Sequence, residues 1–413
     1  MRRFRQTLFW LHLAAGLLAG GVIGIMCFTG AALAFEKQLV AWAERDVRRV
    51  PPPAPDAAHL PLAELSKRVA EARPDARPSA ITLSRDPHDA AVFAFGRDRA
   101  LYVNPYTGQV RTPASTQVRD FLHVLEDWHR VLAMGGDNRP LGKAINGACN
   151  VAFCLLALSG LCLWWPRSWS WTGLKTVAVF NWQLTGKARD WNWHNTIGLW
   201  SAPILLVLTL TAMPISYRWA GNLVYRLVGE EPPPPPGQGA TPPVRGGAPP
   251  SRDASPRPPS ELESPAPVAR PLTHDALVAR VQQQFPRWET ITLRLANPQR
   301  GDTQNDNGRR VAQSVAVVIK EPGTWPRTAA TTLILDPYTG ESLQIEAFAH
   351  LSTGRQIRGW MRFLHTGEAL GIGGQLVAGL ASLGGCFLVY TGFALAWRRF
   401  FPKRTNIVAP VIR

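Results

Sequence analysis

Four of the nine histidines in this 413-residue chain, His12, His129, His194 and His365, stand within or a short way before a long apolar run. Imidazole is the side chain that metal ions and proton transfers most often recruit. An ionisable group at membrane depth is costly unless it has a partner. For one such histidine, a satisfied core residue or an interface anchor is the simplest account. Four, placed symmetrically in a chain that repeats itself, point to a shared task.

A zinc site takes four protein ligands, or three and an open position, with Cys or carboxylates nearby. Few acids are placed to help: Asp190 at one level, and Glu126, Asp127 and Glu368 at the other. The five cysteines all fall inside the apolar runs with no CxxC pair, so they read as small buried apolar residues. Haem iron is satisfied by two axial imidazoles, with the porphyrin supplying the remaining ligands, so one histidine from each of two helices is enough. The expectation is two haems, one held by His12 with His194 and one by His129 with His365. His123, six residues before His129, is the alternative ligand at the second level. Arg130 and Arg362, close to the second pair, suit haem propionates; exposed, solvated guanidinium groups are the alternative. Gly16, Gly20, Gly198, Gly371, Gly373 and Gly374 are expected to leave room for a macrocycle beside the helices. The tryptophans near the two faces read mainly as an interfacial belt.

The elements that must position these residues follow from hydropathy. Residues 8–35 form a 28-residue run without a charged side chain, long enough at 1.5 Å per residue to cross a hydrocarbon core of about 30 Å. Gly16, Gly20 and Gly24 offer a flat face to another helix. Similar runs occupy 144–165, 191–217 and 369–397. The basic MRRFR start followed by Ala32 and Ala34 imitates a cleaved signal peptide, but the apolar run is longer than such a peptide needs, and retention is expected. Residues 1–7, 166–190 and 398–413 together carry a net +11 of the chain's +16. By the positive-inside rule both termini and the 166–190 loop are cytoplasmic, and the two long segments lie outside. The high basic charge thus reports topology, not a nucleic-acid partner. Membrane lipid is the surrounding medium.

The two outside segments repeat one order. Residues 60–72 are helical in pattern, 80–83, 91–95 and 100–103 are strand-like, and a turn, NPYTG, spans Asn104 to Gly108. In the second, 276–285 is helical, 290–295, 311–319 and 331–335 are strand-like, and DPYTG spans Asp336 to Gly340. Each is therefore expected to be a small α+β unit, over 37–128 and 272–360, ahead of a span. Between them 229–271 is rich in Pro, Gly and Ser and is expected to be a disordered tether. His59, His88, His274 and His350 lie in the outside units and have no evident pairing.

The pieces LHLAAGLLAG with TGAALAF, WHRVLAMGG with LSGLCLWWPR, WHNTIGLW with TAMPISY, and FLHTGEALGIGGQ with YTGFALAWRR together resemble the PepSY-associated transmembrane helix family. The units ending in NPYTG and DPYTG resemble PepSY domains. The resemblance covers the whole chain except the Pro-rich tether. It implies a four-transmembrane-helix bundle with two extracytoplasmic α+β PepSY-like domains, multi-pass in the bacterial inner membrane. It also implies two b-type haems, with His12, His129, His194 and His365 matching the family's membrane histidines, and reduction of a ferric siderophore in the periplasm.

The sequence leaves the electron donor open between a cytoplasmic protein and a quinol. No GxGxxG follows a strand, so a bound nucleotide or flavin is not expected. A rival reading is a non-enzymatic sensor or regulator whose outside units bind a peptide or protease. A metal transporter would need acids or amides inside the spans, where only Asn146 and Asn150 qualify.

Overall fold

The computed structural model describes residues 2–54, 57–96, 99–165, 170–234, 270–295 and 314–402. Helix α1 (Arg2–Leu33) is followed by short helices α2 (Glu36–Ala43) and α3 (Arg45–Arg48). The first α+β unit is α4 (Leu62–Ala72) with strands β1 (Ala80–Ser84), β2 (Ala91–Phe95), β3 (Arg99–Val103) and β4 (Val110–Arg111). Then come α5 (Gln117–Val131), α6 (Arg139–Trp164), α7 (Trp171–Ala178), α8 (Gly186–Ser216) and α9 (Arg218–Leu227). The second unit is α10 (His274–Gln284) with β5 (Thr290–Arg294), β6 (Val315–Lys320), β7 (Thr331–Leu335) and β8 (Ser342–Glu346). The chain closes with α11 (Thr353–His365) and α12 (Gly371–Phe400). Of the expected tether, 235–269 lie outside the described residues, as do 311–313 at the start of the expected second strand of the second unit.

Four helices are long and apolar enough to cross a membrane, and they coincide with the four runs: Arg2–Leu33, Gly136–Trp164, Gly186–Ser216 and Glu368–Phe400. α1 packs on α6 and α12, and α8 packs on the same two, so the bundle is a closed square. The small residues of α1 admit this packing: a Cβ at Gly20 would meet the Phe393 ring at 2.9 Å, and one at Gly24 would meet Val389 at 3.6 Å. Gly198 similarly faces Leu388, and Gly374 faces the Gly367 carbonyl. Of the glycines expected to leave room for a macrocycle, Gly20, Gly198 and Gly374 therefore face packed neighbours, whereas a Cβ at Gly373 would meet nothing within 4 Å. Midway along the bundle Ile23, Cys27, Phe153, Leu205 and Ala381 form an apolar core.

The two α+β units join edge to edge. One eight-stranded sheet runs β4-β3-β2-β1-β5-β6-β7-β8, and the seam is the antiparallel β1·β5 pair, with Ile81 opposite Leu293 and Leu83 opposite Ile291. The period-2 alternation sends Ile81, Phe93, Ile291, Leu293, Val317, Ile319, Leu333 and Leu335 to one face, where α4 and α10 cover them with Leu62, Leu65, Val69, Leu277 and Val281. The units share one sheet and one core, and Asp275 at the start of α10 also accepts the Leu62 and Ala63 N–H groups at the start of α4.

The two turns are built alike. Asn104 Oδ1 accepts from the Tyr106 and Thr107 N–H groups, and Asp336 Oδ1 from those of Tyr338 and Thr339. Gly108 and Gly340 close them at φ +72° and +68°, a region that favours glycine. The carbonyls of Pro105 and Pro337 accept from Leu60 and Leu272, both at 2.7 Å. The repeat seen in NPYTG and DPYTG is thus a repeat in hydrogen bonding.

Candidate functional site

α5 and α11 each bring one histidine to the sheet-side end of the bundle, and both helices are tied to the sheet. The Glu44 carboxylate, between α2 and α3, accepts from Arg119 of α5 at 2.6 and 3.0 Å, from Arg48 at 3.0 Å and from the Tyr102 hydroxyl of β3. Its side chain is only 3% exposed. Burial alone would push this carboxyl up, but the hydrogen bonds from Tyr102 and Arg119, the Arg119 charge and the Arg48 bond outweigh it and hold the group below the ordinary glutamate range. On the other half, Arg355 of α11 grips Glu346 of β8 with two bonds of 2.9 Å. Glu230 caps the start of α11 by accepting from Ser352 Oγ and the Gly354 N–H.

α5 ends on Leu132 and Ala133, both left-handed at φ 54° and 55°, which turns the chain back into α6. Asn146 of α6 donates to the His129 carbonyl at 3.0 Å and fixes that end. As a result the His129 and His365 rings meet, with centroids 6.2 Å apart and planes tilted by 47°. Desolvation, with the neighbouring His365 adding to it, pushes the His129 imidazole down to about 4; burial likewise lowers His365, partly offset by the Leu208 carbonyl. Both rings are neutral at ordinary pH, with one nitrogen protonated and the other a free lone pair.

At the opposite end, His12 of α1 and His194 of α8 are near enough to interact electrostatically. His12 lies against Gly160 of α6, and His194 against Gly392 of α12. The sorting into two levels, expected from topology, is the arrangement found.

The sequence reading missed what holds the rings. His12 Nδ1 lies 2.8 Å from Ser159 Oγ, His194 Nδ1 lies 2.8 Å from Thr391 Oγ1, and His129 Nδ1 lies 2.9 Å from Thr29 Oγ1. Each hydroxyl already donates its proton to the carbonyl four residues back: Ser159 to Leu155 at 2.6 Å, Thr391 to Phe387 at 2.7 Å, Thr29 to Ile25 at 2.7 Å. A hydroxyl has one proton, so it must accept from the imidazole, which makes Nδ1 the protonated nitrogen. His365 Nδ1 faces the Leu208 carbonyl at 3.0 Å, and a carbonyl can only accept. All four rings therefore keep Nε2 as the lone-pair nitrogen. The available signal was a hydroxyl followed by a small residue in each span: Thr29-Gly30, Ser159-Gly160, Thr211-Ala212 and Thr391-Gly392.

The remaining expectations separate. His123 is on α5 with its side chain 40% exposed and its Nδ1 3.9 Å from Asp127. Arg130 is tied to Glu126 at 2.7 Å, and Arg362 is exposed in the last turn of α11. Asp190 is 1% exposed and lies 3.0 Å from both Arg189 and Arg398, so its charge is spent on guanidinium groups. Asn150 donates to the Thr209 carbonyl and braces α6 on α8.

The fit to an iron porphyrin can be judged from these rings. Among the described residues no group of three or more His, Cys, Asp and Glu is placed to hold a metal ion by itself. Two imidazole nitrogens bound about 2 Å from one metal put ring centres about 6 Å apart, which is the spacing of His129 and His365. Lone pairs on Nε2 and second-nitrogen hydrogen bonds to fixed acceptors are what such ligands require. The spacing of His129 and His365 fits such a group; for His12 and His194 it is the bonded Nδ1 and open Nε2 that suit it.

Comparison with known proteins gives a consistent placement. No curated protein matches the chain. A family model described as PepSY-associated TM region matches residues 9–399, through all four membrane helices and the sheet. The chain is a multi-pass membrane protein and belongs to the PepSY-associated TM region family.

Proposed function

We propose that the protein is a di-haem, b-type electron-transfer protein of the bacterial inner membrane. In this reading His12 and His194 hold one haem at the cytoplasmic level, and His129 and His365 hold the other at the periplasmic level. The observation that carries it is the common state of the four rings: Nδ1 bonded to an acceptor, Nε2 left with its lone pair. The haems supply reversible one-electron chemistry when bound. The protein's own share is to fix the ligands, hold the two levels apart with the Ile23–Phe153–Leu205 core, and keep water out of the bundle.

The acceptor we favour is a ferric siderophore at the periplasmic face. One electron converts Fe(III) to Fe(II), which fits hard oxygen chelators less well, and the iron is released. The donor is a cytoplasmic protein or a quinol. In this reading both termini and the 166–190 loop face the cytoplasm, which their basic charge supports.

The test is purified protein in liposomes with reductant inside and a membrane-impermeant ferric hydroxamate outside. The expected result is a b-type spectrum and Fe(II) appearing outside only in vesicles that contain the protein. A protein that stays colourless when haem is supplied during expression removes this reading. It would leave an anchored pair of outside units as the better account.

A further inference from the structure

Ser159 and Thr391 lie in the second span of each half and Thr29 in the first span of the first half, each beside a histidine donated by another helix. The fourth equivalent follows from spacing. His12 precedes Thr29 by 17 residues and His194 precedes Thr211 by the same 17. Thr211 is buried, and its hydroxyl lies 2.6 Å from the Val207 carbonyl and 3.1 Å from that of Leu208. His365 takes this same Leu208 carbonyl directly.

We propose that Thr29, Ser159 and Thr391, with the Leu208 carbonyl at the fourth position, are positioning residues. They fix the Nδ1–H tautomer and ring orientation of His129, His12, His194 and His365, and through this set the redox potential of each haem. This rests on the di-haem reading. An imidazole that donates from Nδ1 is a more basic ligand and favours ferric over ferrous iron. Loss of the acceptor raises the midpoint potential and weakens retention, by about 10- to 100-fold in affinity for second-sphere partners of this type.

The supports are unequal, which makes the proposal specific. The bond of His365 to the Leu208 carbonyl cannot be removed by a side-chain change, whereas those of His12, His129 and His194 to hydroxyls can. Ser159, Thr29 and Thr391 are therefore the sensitive positions, and Thr211 is not.

The experiment is potentiometric titration of the full-length protein in lipid nanodiscs, read as two components, with the haem count of the wild type measured first. Ser159→Ala and Thr391→Val should raise the same component, and Thr29→Val the other. A tenfold loss of ferric preference corresponds to about 59 mV. Thr391→Ser and Thr29→Ser should restore wild-type values, and Thr211→Val should move neither component. Selective loss of one haem in Ser159→Ala, with the other retained, counts in favour. The proposal is overturned if the valine and alanine variants keep both haems at wild-type potentials, or if Ser159→Ala and Thr391→Val move different components. A wild type that binds no haem is a different outcome and refutes the di-haem reading itself.

Discussion

His129 and His365 come from opposite halves of the chain, yet their ring centroids lie 6.2 Å apart. Neither residue is in a membrane span. Each sits in the last turn or two of an amphipathic helix that runs into one, and each reaches across to a span of its own half: His129 to Thr29 of α1, His365 to Leu208 of α8. The pair is thus a product of the duplication, with each half contributing a helix that is anchored to one side of the shared sheet.

Only one of the two histidines on α5 should matter to this pair. His129→Ala is expected to remove one haem signal, while His123→Ala, whose ring faces Asp127, keeps both. Optical spectra of the two purified variants decide it. The reverse result would assign the ligand to His123.

Glu44 makes the coupling of sheet to α5 pH-dependent. Its folded carboxyl titrates below its ordinary value, so the unfolded chain binds the proton more readily. The stability it contributes is fully present above about pH 5, and is lost as pH falls through about 4.3 and below. Glu44→Gln removes that dependence and leaves Arg119 and Arg48 without their charge partner, at a cost of about 3 kcal/mol. Thermal melts of both proteins between pH 7 and pH 4 should converge toward the acid end. Parallel curves would show that Glu44 does not carry the effect.

The glycines beside the rings are not equivalent. A Cβ at Gly30 would stand 3.2 Å from His129 Cε1, tighter than an ordinary contact, whereas one at Gly392 would stand 3.6 Å from His194 Cε1. Gly30→Ala should therefore disturb the sheet-side site, seen as a shifted or diminished spectrum, and Gly392→Ala should not. Equal tolerance of both would mean that His129 can shift without consequence.

Ala133 is exposed and left-handed at φ 55°, a conformation that costs an L-residue about 1 kcal/mol. Ala133→Gly should raise the melting temperature by a few degrees and leave the spectrum unchanged. A lower melting temperature would show that the turn after α5 is not under strain.

Much of this architecture is legible in the sequence, because the forces that dictate it are local or periodic. Apolar length marks the spans, the doubled turn marks the duplication, and four histidines at the ends of helices mark the levels. The joining of β1 to β5 is not legible: strands such as Ala80–Ser84 and Thr290–Arg294 alternate in the same way whether they end at an edge or continue into a neighbour. The glycines were misread for a related reason. Gly20 and Gly198 look like free space in a sequence, but Phe393 and Leu388 from another helix fill it. Thr29, Ser159 and Thr391 were visible as residues yet silent about purpose, since a threonine in a membrane helix usually bonds its own backbone. These do so, and the histidine is an additional partner that only the packing of a second helix supplies.

The most direct measurement is the haem-to-protein ratio of the purified full-length chain, taken beside that of the His12→Ala, His194→Ala double variant and the His129→Ala, His365→Ala double variant. Two haems in the wild type and one in each double variant is the result expected of paired imidazoles at two levels. A wild type with no haem, or double variants that still hold two, would contradict it.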